Sequence, residues 1–419
     1  MPRLLSGSKN AFGCAALGLL VMAASACSPV GDARPDIASW AERPADADEL
    51  YQARVAQLER DQGRIEYDIL GPIASGAAEQ KLARQSTTGI NPAALAAIRE
   101  YSASNDSSAL LVWHKDAIVE ESYFGDSNAQ SLLPSKSLSK PLASIAIGRA
   151  IALGLIEGLD QKASDFITEW QSTPKQDMTL RDILWMQSGL LEQSFDLDPD
   201  GPLMRAYVDP YHERYIVDEY PLTDEPGTRY AYSNATGDLT AVIIERASGK
   251  DYAEFVGEEI LAPLAAADGE AWINRPDGKS RSGCCMFFTA ETYLKFARLL
   301  LDDGMIDGER LLPQGFVAAM RTGSPYFANH GMGLWLGEPY RARRSFLGAE
   351  AQIAAVLQNE PFLAADTFMF DGNGHQVTYI VPSQDLIVLR LGNRPSADGA
   401  EWDNSVLLNT VLRGISASQ

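Results

Sequence analysis

The chain has 419 residues, of which 46% are hydrophobic and 22% charged, an ordinary globular balance with ample apolar material for a large core. Its net charge of −21 repels phosphate backbones and argues against a nucleic-acid partner. Length alone fits two or three domains, or one large domain carrying an insertion.

The first residues read as a targeting segment rather than part of the fold. Arg3 and Lys9 supply a positive start, and residues 11–24 form an apolar stretch too short to span a bilayer comfortably. Ala24-Ser25-Ala26 gives a small-residue cleavage pattern, and Cys27 follows at once. A small-small-Cys ending resembles a bacterial lipobox, although Ala24 stands where Leu is usual. Two outcomes stay open: lipidation of Cys27, which attaches the chain to a membrane, or simple cleavage that leaves a terminal thiol. Both export the protein, to the periplasm. Residues 27–85 then read as a tether and N-terminal extension, with Pro, Ala and Asp dominating residues 28–45.

Helix formers fill residues 46–60, with Leu50, Val55 and Leu58 as a thin apolar stripe. Asn91 can cap a further helix that starts at Pro92 and runs through Leu95 and Ile98. A hairpin comes next: a buried strand at 109–113, a turn at Lys115-Asp116 and a return strand at 118–123. A helix is expected from near Ser137, with Leu138, Leu142, Ile145, Ile151 and Leu155 at helical spacing, closed by Gly158. The middle third is mostly helical. Thr179 can cap a helix through Leu180, Ile183, Leu184 and Met186, and Asn234 or Thr236 opens one that Gly249 ends. After Phe288 comes a helix of Tyr293, Phe296, Leu299 and Leu300. Strands return at 368–370, 377–381 and 386–391, and a terminal helix covers about 405–413.

Strands at both chain ends with helices between them predict an α/β fold of the α+β type. One antiparallel sheet, flanked by helices, carries an inserted mainly helical domain, and the cleft between the lobes is the ligand site. The expected division is 1–26 signal peptide, 86–165 and 275–419 α/β domain, and 166–274 helical insertion.

The four histidines (His114, His212, His330, His375) are scattered, so no metal site is expected. Cys284 and Cys285 are adjacent, and neighbouring cysteines rarely pair, so no disulfide framework is expected either.

Chemistry enters with S-x-x-K, which puts a hydroxyl and an amine on one helix face, roughly 5–6 Å apart between Cβ atoms. A lysine can take the serine proton only where burial or a nearby dipole favours its neutral form. The motif occurs at Ser6/Lys9, Ser137/Lys140 and Ser172/Lys175. The first lies in the signal and the second of these rivals contains Pro174. Only Ser137 stands at the start of an amphipathic helix, though alone it fits a capping serine equally well. Tyr232-Ser233-Asn234 adds a tyrosine able to relay a proton to a leaving group and an asparagine able to bind both substrate and lysine.

These residues resemble the class C beta-lactamase-related serine hydrolases. Residues 134–140 (PSKSLSK) are similar to the family's first motif and Tyr232-Ser233-Asn234 to its second. Residues 179–190 (TLRDILWMQSGL) and Gly283-Cys284-Cys285-Met286 resemble a helix-turn stretch and a glycine-rich turn on its cleft wall. The resemblance spans roughly residues 107–392. Within it, the chain is most similar to 6-aminohexanoate-dimer hydrolases and family VIII carboxylesterases. The third motif is the reason: beta-lactamases carry Lys-Thr-Gly there, whereas residues 371–376 read Asp-Gly-Asn-Gly-His-Gln with no lysine. The resemblance implies an acyl-enzyme on Ser137, with Lys140 and Tyr232 sharing the base role. It also implies substrate contacts at Asn234, Gly374 and His375, and an oxyanion hole completed by one N–H among 373–375. No cofactor is implied, and the partner is a small ester or amide. The rival readings are a beta-lactamase or D,D-peptidase, and an inactive binding protein of the same fold. No G-x-S-x-G elbow supports an alpha/beta-hydrolase.

Overall fold

The computed structural model describes residues 45–61, 63–86, 89–195, 198–393 and 401–416. The signal segment and Cys27 lie outside these residues.

The sheet begins with the expected hairpin. Lys115 and Asp116 take φ of 49° and 69°, the backbone that a tight two-residue hairpin turn requires. It joins strands Ser107–His114 and Ala117–Tyr123. Of the three C-terminal strands, Phe368–Gly372, Gln376–Val381 and Leu386–Gly392, the last pairs with the other edge of the first and the other two follow outward from it. With Trp335–Leu336 they complete a six-stranded sheet, every neighbouring pair antiparallel.

Alternation along these strands sorts side chains onto two faces. Leu111, Trp113, Ile387, Leu389 and Phe370 join a cluster with Leu142 and Ile145 of helix Ser139–Ala152 and Leu294 and Phe296 of helix Ala290–Leu301. Leu110, Val112, Val388 and Tyr379 face the other way, onto Ile98 of helix Pro92–Ala103 and Leu407 and Val411 of helix Val406–Ser416. The sheet therefore lies between helical layers. The described residues, from Ala45 on, form one compact unit.

Several local expectations are met with their physical reason visible. Asn91 accepts from the Ala93 N–H and caps its helix. Thr179 and Asp182 form a capping box. Gly249 ends helix Asn234–Ser248 at φ 73°. Others are corrected. Ser137 lies in a 3-10 turn, Lys136–Leu138, and the α-helix starts at Ser139. That helix stops at Ala152, because Gly154 turns left-handed at φ 73°, and Leu155 is left exposed. The helix after Thr179 ends at Leu184, and Met186 takes φ 56°. The middle third also holds two short helices, Pro202–Val208 and His212–Asp218.

A second sheet escaped the sequence reading, since its strands of two to four residues are too short to show a period. Its order is Leu70–Ile73, Gly269–Trp272, Met286–Phe288, Leu133–Pro134. The last of these strands leads directly into Ser137. A further correction concerns the adjacent cysteines: Cys284 and Cys285 are joined as a disulfide. The turn holding them is tied on either side, Gly283 N–H to Asp238 and Met286 N–H to Ser135.

Burial also sets an acid response. His330 is enclosed by Tyr230 and Trp335, and desolvation pushes its pKa down to about 3. The folded chain keeps this imidazole neutral, whereas an unfolded chain protonates it below about pH 6.5. Its contribution is therefore intact above that pH and is lost as pH falls towards 3. Chemical denaturation of wild type and His330→Leu at several acid pH values is expected to differ in slope by up to about 1.4 kcal/mol per pH unit. Identical slopes would refute this.

Candidate active site

Ser137 is half-buried, and three groups converge on it. The Tyr232 hydroxyl donates to Ser137 Oγ at 2.9 Å, and Lys140 Nζ reaches the same oxygen at 3.4 Å. Lys140 is buried, and its ammonium also donates to Asn234 Oδ1 and to the Gly283 carbonyl, both at 3.0 Å. The lysine nitrogen stands 4.8 Å from the centre of the Tyr232 ring. Serine, lysine and tyrosine thus form one contact set, and every acceptor around the lysine is neutral.

Each side chain is aimed by its element. The 3-10 turn and the helix after it put Ser137 and Lys140 on one face. Ser233 caps helix Asn234–Ser248 by accepting from the Thr236 N–H, so Tyr232 and Asn234 flank a fixed helix start. Residues 186–193 brace that start. The Met186 carbonyl accepts from Ala231 N–H at 2.7 Å, Ser188 bonds Thr236 at 2.6 Å, and Gln193 bonds both the Tyr232 carbonyl and Asn234 Nδ2.

The third motif comes up against the nucleophile at Gly372. A Cβ on Gly372 would lie 3.2 Å from Ser137 N and 2.7 Å from Leu138 Cδ1, so only glycine lets the strand approach the nucleophile this closely. Gly374 and His375 sit in the turn beyond. Both carbonyls accept from the Arg390 guanidinium, and the His375 ring stacks on Trp402, 5.4 Å between centroids. The structure therefore brings Ser137, Lys140, Tyr232 and Asn234 together and holds His375 against Trp402.

Several residues of this site were missed by sequence reasoning. A Cβ on Gly237 would stand 3.2 Å from Gly283 Cα and 3.3 Å from Lys140 Cε, so two glycines make room behind the lysine. Asp238 accepts the Gly283 N–H at 2.8 Å and pairs with Arg281 at 3.0 Å, with both side chains buried. A charged residue beside Leu239 and Val242 on a buried helix was the available signal. Arg390 is fully buried and braces the third-motif turn, and burial lowers its pKa to about 10. Its place in an otherwise apolar strand, Leu386–Gly392, marked it as unusual. On the open side, Phe346 lies 5.0 Å from the Tyr232 ring and exposed Phe195 lies 6.2 Å from Phe346.

The family model for Beta-lactamase matches residues 95–409, which includes every catalytic candidate. The chain belongs to the beta-lactamase family. It is a serine hydrolase of that family, with the mixed helix and antiparallel-sheet fold that the family implies. A curated relative, the 6-aminohexanoate-dimer hydrolase of Paenarthrobacter ureafaciens, is 25% identical over 67% of this chain and 71% of its own length. Among solved structures, a candidate 6-aminohexanoate-dimer hydrolase from Bacillus anthracis matches with TM-score 0.62 at 17% identity, over 90% of this chain and 94% of that one. EstCE1, a hydrolase with promiscuous acyltransferase activity, matches with TM-score 0.57 at 16% identity, over 76% and 97%. The two structural matches bear on fold alone.

Proposed function

We propose that this member of the beta-lactamase family hydrolyses esters or linear amides through an acyl-enzyme on Ser137. The observation that carries the reading is the convergence of Tyr232 and Lys140 on Ser137 Oγ, at 2.9 and 3.4 Å, beside a third-motif strand that offers no lysine. Ser137 Oγ attacks the carbonyl carbon, and its proton passes to the Lys140–Tyr232 pair. The carbonyl oxygen becomes an oxyanion facing the Ser137 N–H. The close approach of Gly372 nominates the next amide along the chain, Asn373, as the second donor. Tyr232 hands the proton to the leaving alcohol or amine. Water, deprotonated by the same pair, then cleaves the acyl-enzyme and regenerates Ser137.

Residues near Tyr232 and in the third motif support this substrate class. A lysine in the third motif would hold a beta-lactam carboxylate; here the strand ends Phe-Met-Phe-Asp-Gly, and its Asp371 is engaged with Arg344. Phe346 and Phe195 instead offer an aromatic wall beside Tyr232. The curated relative named a 6-aminohexanoate-dimer hydrolase fits this direction.

The test pairs two substrates with one label. p-Nitrophenyl butyrate is expected to turn over at least about a hundredfold better than nitrocefin, a span set by the polar contacts a beta-lactam carboxylate would lack. A fluorophosphonate is expected to add once, on Ser137, by peptide mass. Preferential nitrocefin hydrolysis would favour the beta-lactamase reading, and an unlabelled, inert protein the inactive binding fold.

A further inference from the structure

We propose that the Cys284–Cys285 disulfide is a positioning element that holds the Gly283 carbonyl on Lys140 and so keeps the lysine in register with Ser137. This rests on the Ser137–Lys140 reading above.

The segment 283–286 grips the nucleophile stretch on both sides of Ser137. At one end the Gly283 carbonyl accepts from Lys140 Nζ at 3.0 Å, while the Gly283 N–H is tied to Asp238 Oδ1 at 2.8 Å. At the other end Met286 N donates to Ser135 Oγ at 3.0 Å, and the Met286 carbonyl accepts from Ser135 N at 2.7 Å. Only Cys284 and Cys285 lie between these two grips. The peptide group that carries the Gly283 carbonyl ends at the nitrogen of Cys284, so that carbonyl turns only as the Cys284 backbone turns. Joining the two sulfurs closes a small covalent ring around the peptide bond between the cysteines and removes their torsional freedom. Of the three acceptors around Lys140, Gly283 is the only one supplied by main chain, and the disulfide stiffens it directly.

The surroundings restrict the ring further. Cys285 is fully buried beside Trp272 and Phe287, with the Tyr67 hydroxyl 3.2 Å from its sulfur. Lys136, the residue before the nucleophile, donates to that same hydroxyl. Cys284 is partly exposed, which gives a reductant a way in. Attack by one thiolate of a dithiol on Cys284 Sγ breaks the S–S bond, and Cys285 leaves as a thiolate that takes up a proton. The second thiol of the reductant then displaces Cys284 as a thiol. The protein gains two electrons and two protons, and the reductant ends as its cyclic disulfide.

The experiment uses the full chain, oxidised, reduced with dithiothreitol, reoxidised, and as C284S/C285S. Peptide mass after alkylation gives the redox state. The readout is the rate of fluorophosphonate labelling of Ser137 from about pH 5 to about pH 10, with kcat and KM for p-nitrophenyl butyrate alongside. The reduced protein and the double variant are expected to label about ten- to a hundredfold more slowly. The pH profile should move, kcat should fall with KM little changed, and reoxidation should restore the wild-type rate. Full labelling with an unchanged pH profile after reduction would overturn the role of the disulfide alone. A loss that accompanies a collapsed thermal transition and is not restored on reoxidation would make the bond merely structural and also overturn it. An active oxidised protein with no label on Ser137 would instead bring down the nucleophile assignment itself.

Discussion

Lys140→Met is expected to lower kcat on an ester by on the order of 10⁴-fold or more while leaving thermal stability nearly unchanged. The two effects separate because they draw on different interactions. In the resting fold the Lys140 ammonium is buried against neutral acceptors, Asn234 Oδ1, the Gly283 carbonyl and Ser137 Oγ. Removing it recovers several kcal/mol of charge burial and loses a donor to Asn234 and Gly283, worth about 1–3 kcal/mol each, so the terms nearly cancel. In the reaction there is no such cancellation. Without the lysine the Ser137 proton has no adequate acceptor, and 10⁴-fold corresponds to about 5 kcal/mol of lost transition-state stabilisation. Ser137→Ala is expected to cost as much, and the double variant no more than either, because the two act as a unit. Kinetics of the three variants with thermal melts decide the matter. Losses that multiply in the double variant, or a Lys140→Met protein within tenfold of wild type, would show that the pair does not work together.

The largest stability effect is expected at Asp238→Ala, on the order of 3–5 kcal/mol by denaturant unfolding. Asp238 and Arg281 are both buried, and their link at 3.0 Å is a charged contact between helix Asn234–Ser248 and the segment leading to Gly283. Burial drives the Asp238 carboxyl up and the Arg281 guanidinium down, which shows how little the interior favours either charge. Arg281 has one further hydrogen bond, to the Ala206 carbonyl, and its Nε and second terminal nitrogen have none among the described residues. Deleting the carboxylate leaves that cation with no counter-charge on the link and strips the Gly283 N–H of its acceptor. The asymmetry between breaking a buried pair and replacing it supplies the control. Asp238→Leu with Arg281→Met should recover most of the loss. A single-variant loss below about 1 kcal/mol, or a double variant no better than the single, would contradict this account.

How much of the site could be read in advance depended on chain distance. Ser137 and Lys140 are three residues apart, and Tyr232 and Asn234 two. Their shared faces follow from local geometry, which a sequence displays directly. Asn91, Thr179 and Gly249 were legible for the same reason, since a cap acts within a turn of the residue that makes it. The strands of the large sheet showed themselves as apolar runs bounded by turn residues, within strands of five to eight residues. The second sheet did not, because two to four residues carry no period.

What sequence alone determined, then, is the chemistry available: a serine with a lysine one turn on, a tyrosine and asparagine at a helix start, and a third motif without lysine. Only the tertiary structure decided which groups meet. Gly283 reaches Lys140 across 143 residues of chain, and Arg390 reaches the turn at Gly374 across 16. Gly372 comes up against the nucleophile, and the His375 ring stacks on Trp402. The adjacent cysteines illustrate the limit most clearly. Their spacing argued against a bond, but the two are joined within a turn gripped at Gly283 and Met286 by the nucleophile stretch and by Asp238. The physical reason is common to all of these contacts. Local propensities act over a few residues, whereas each of these positions is set by packing between segments that no short window of sequence contains together.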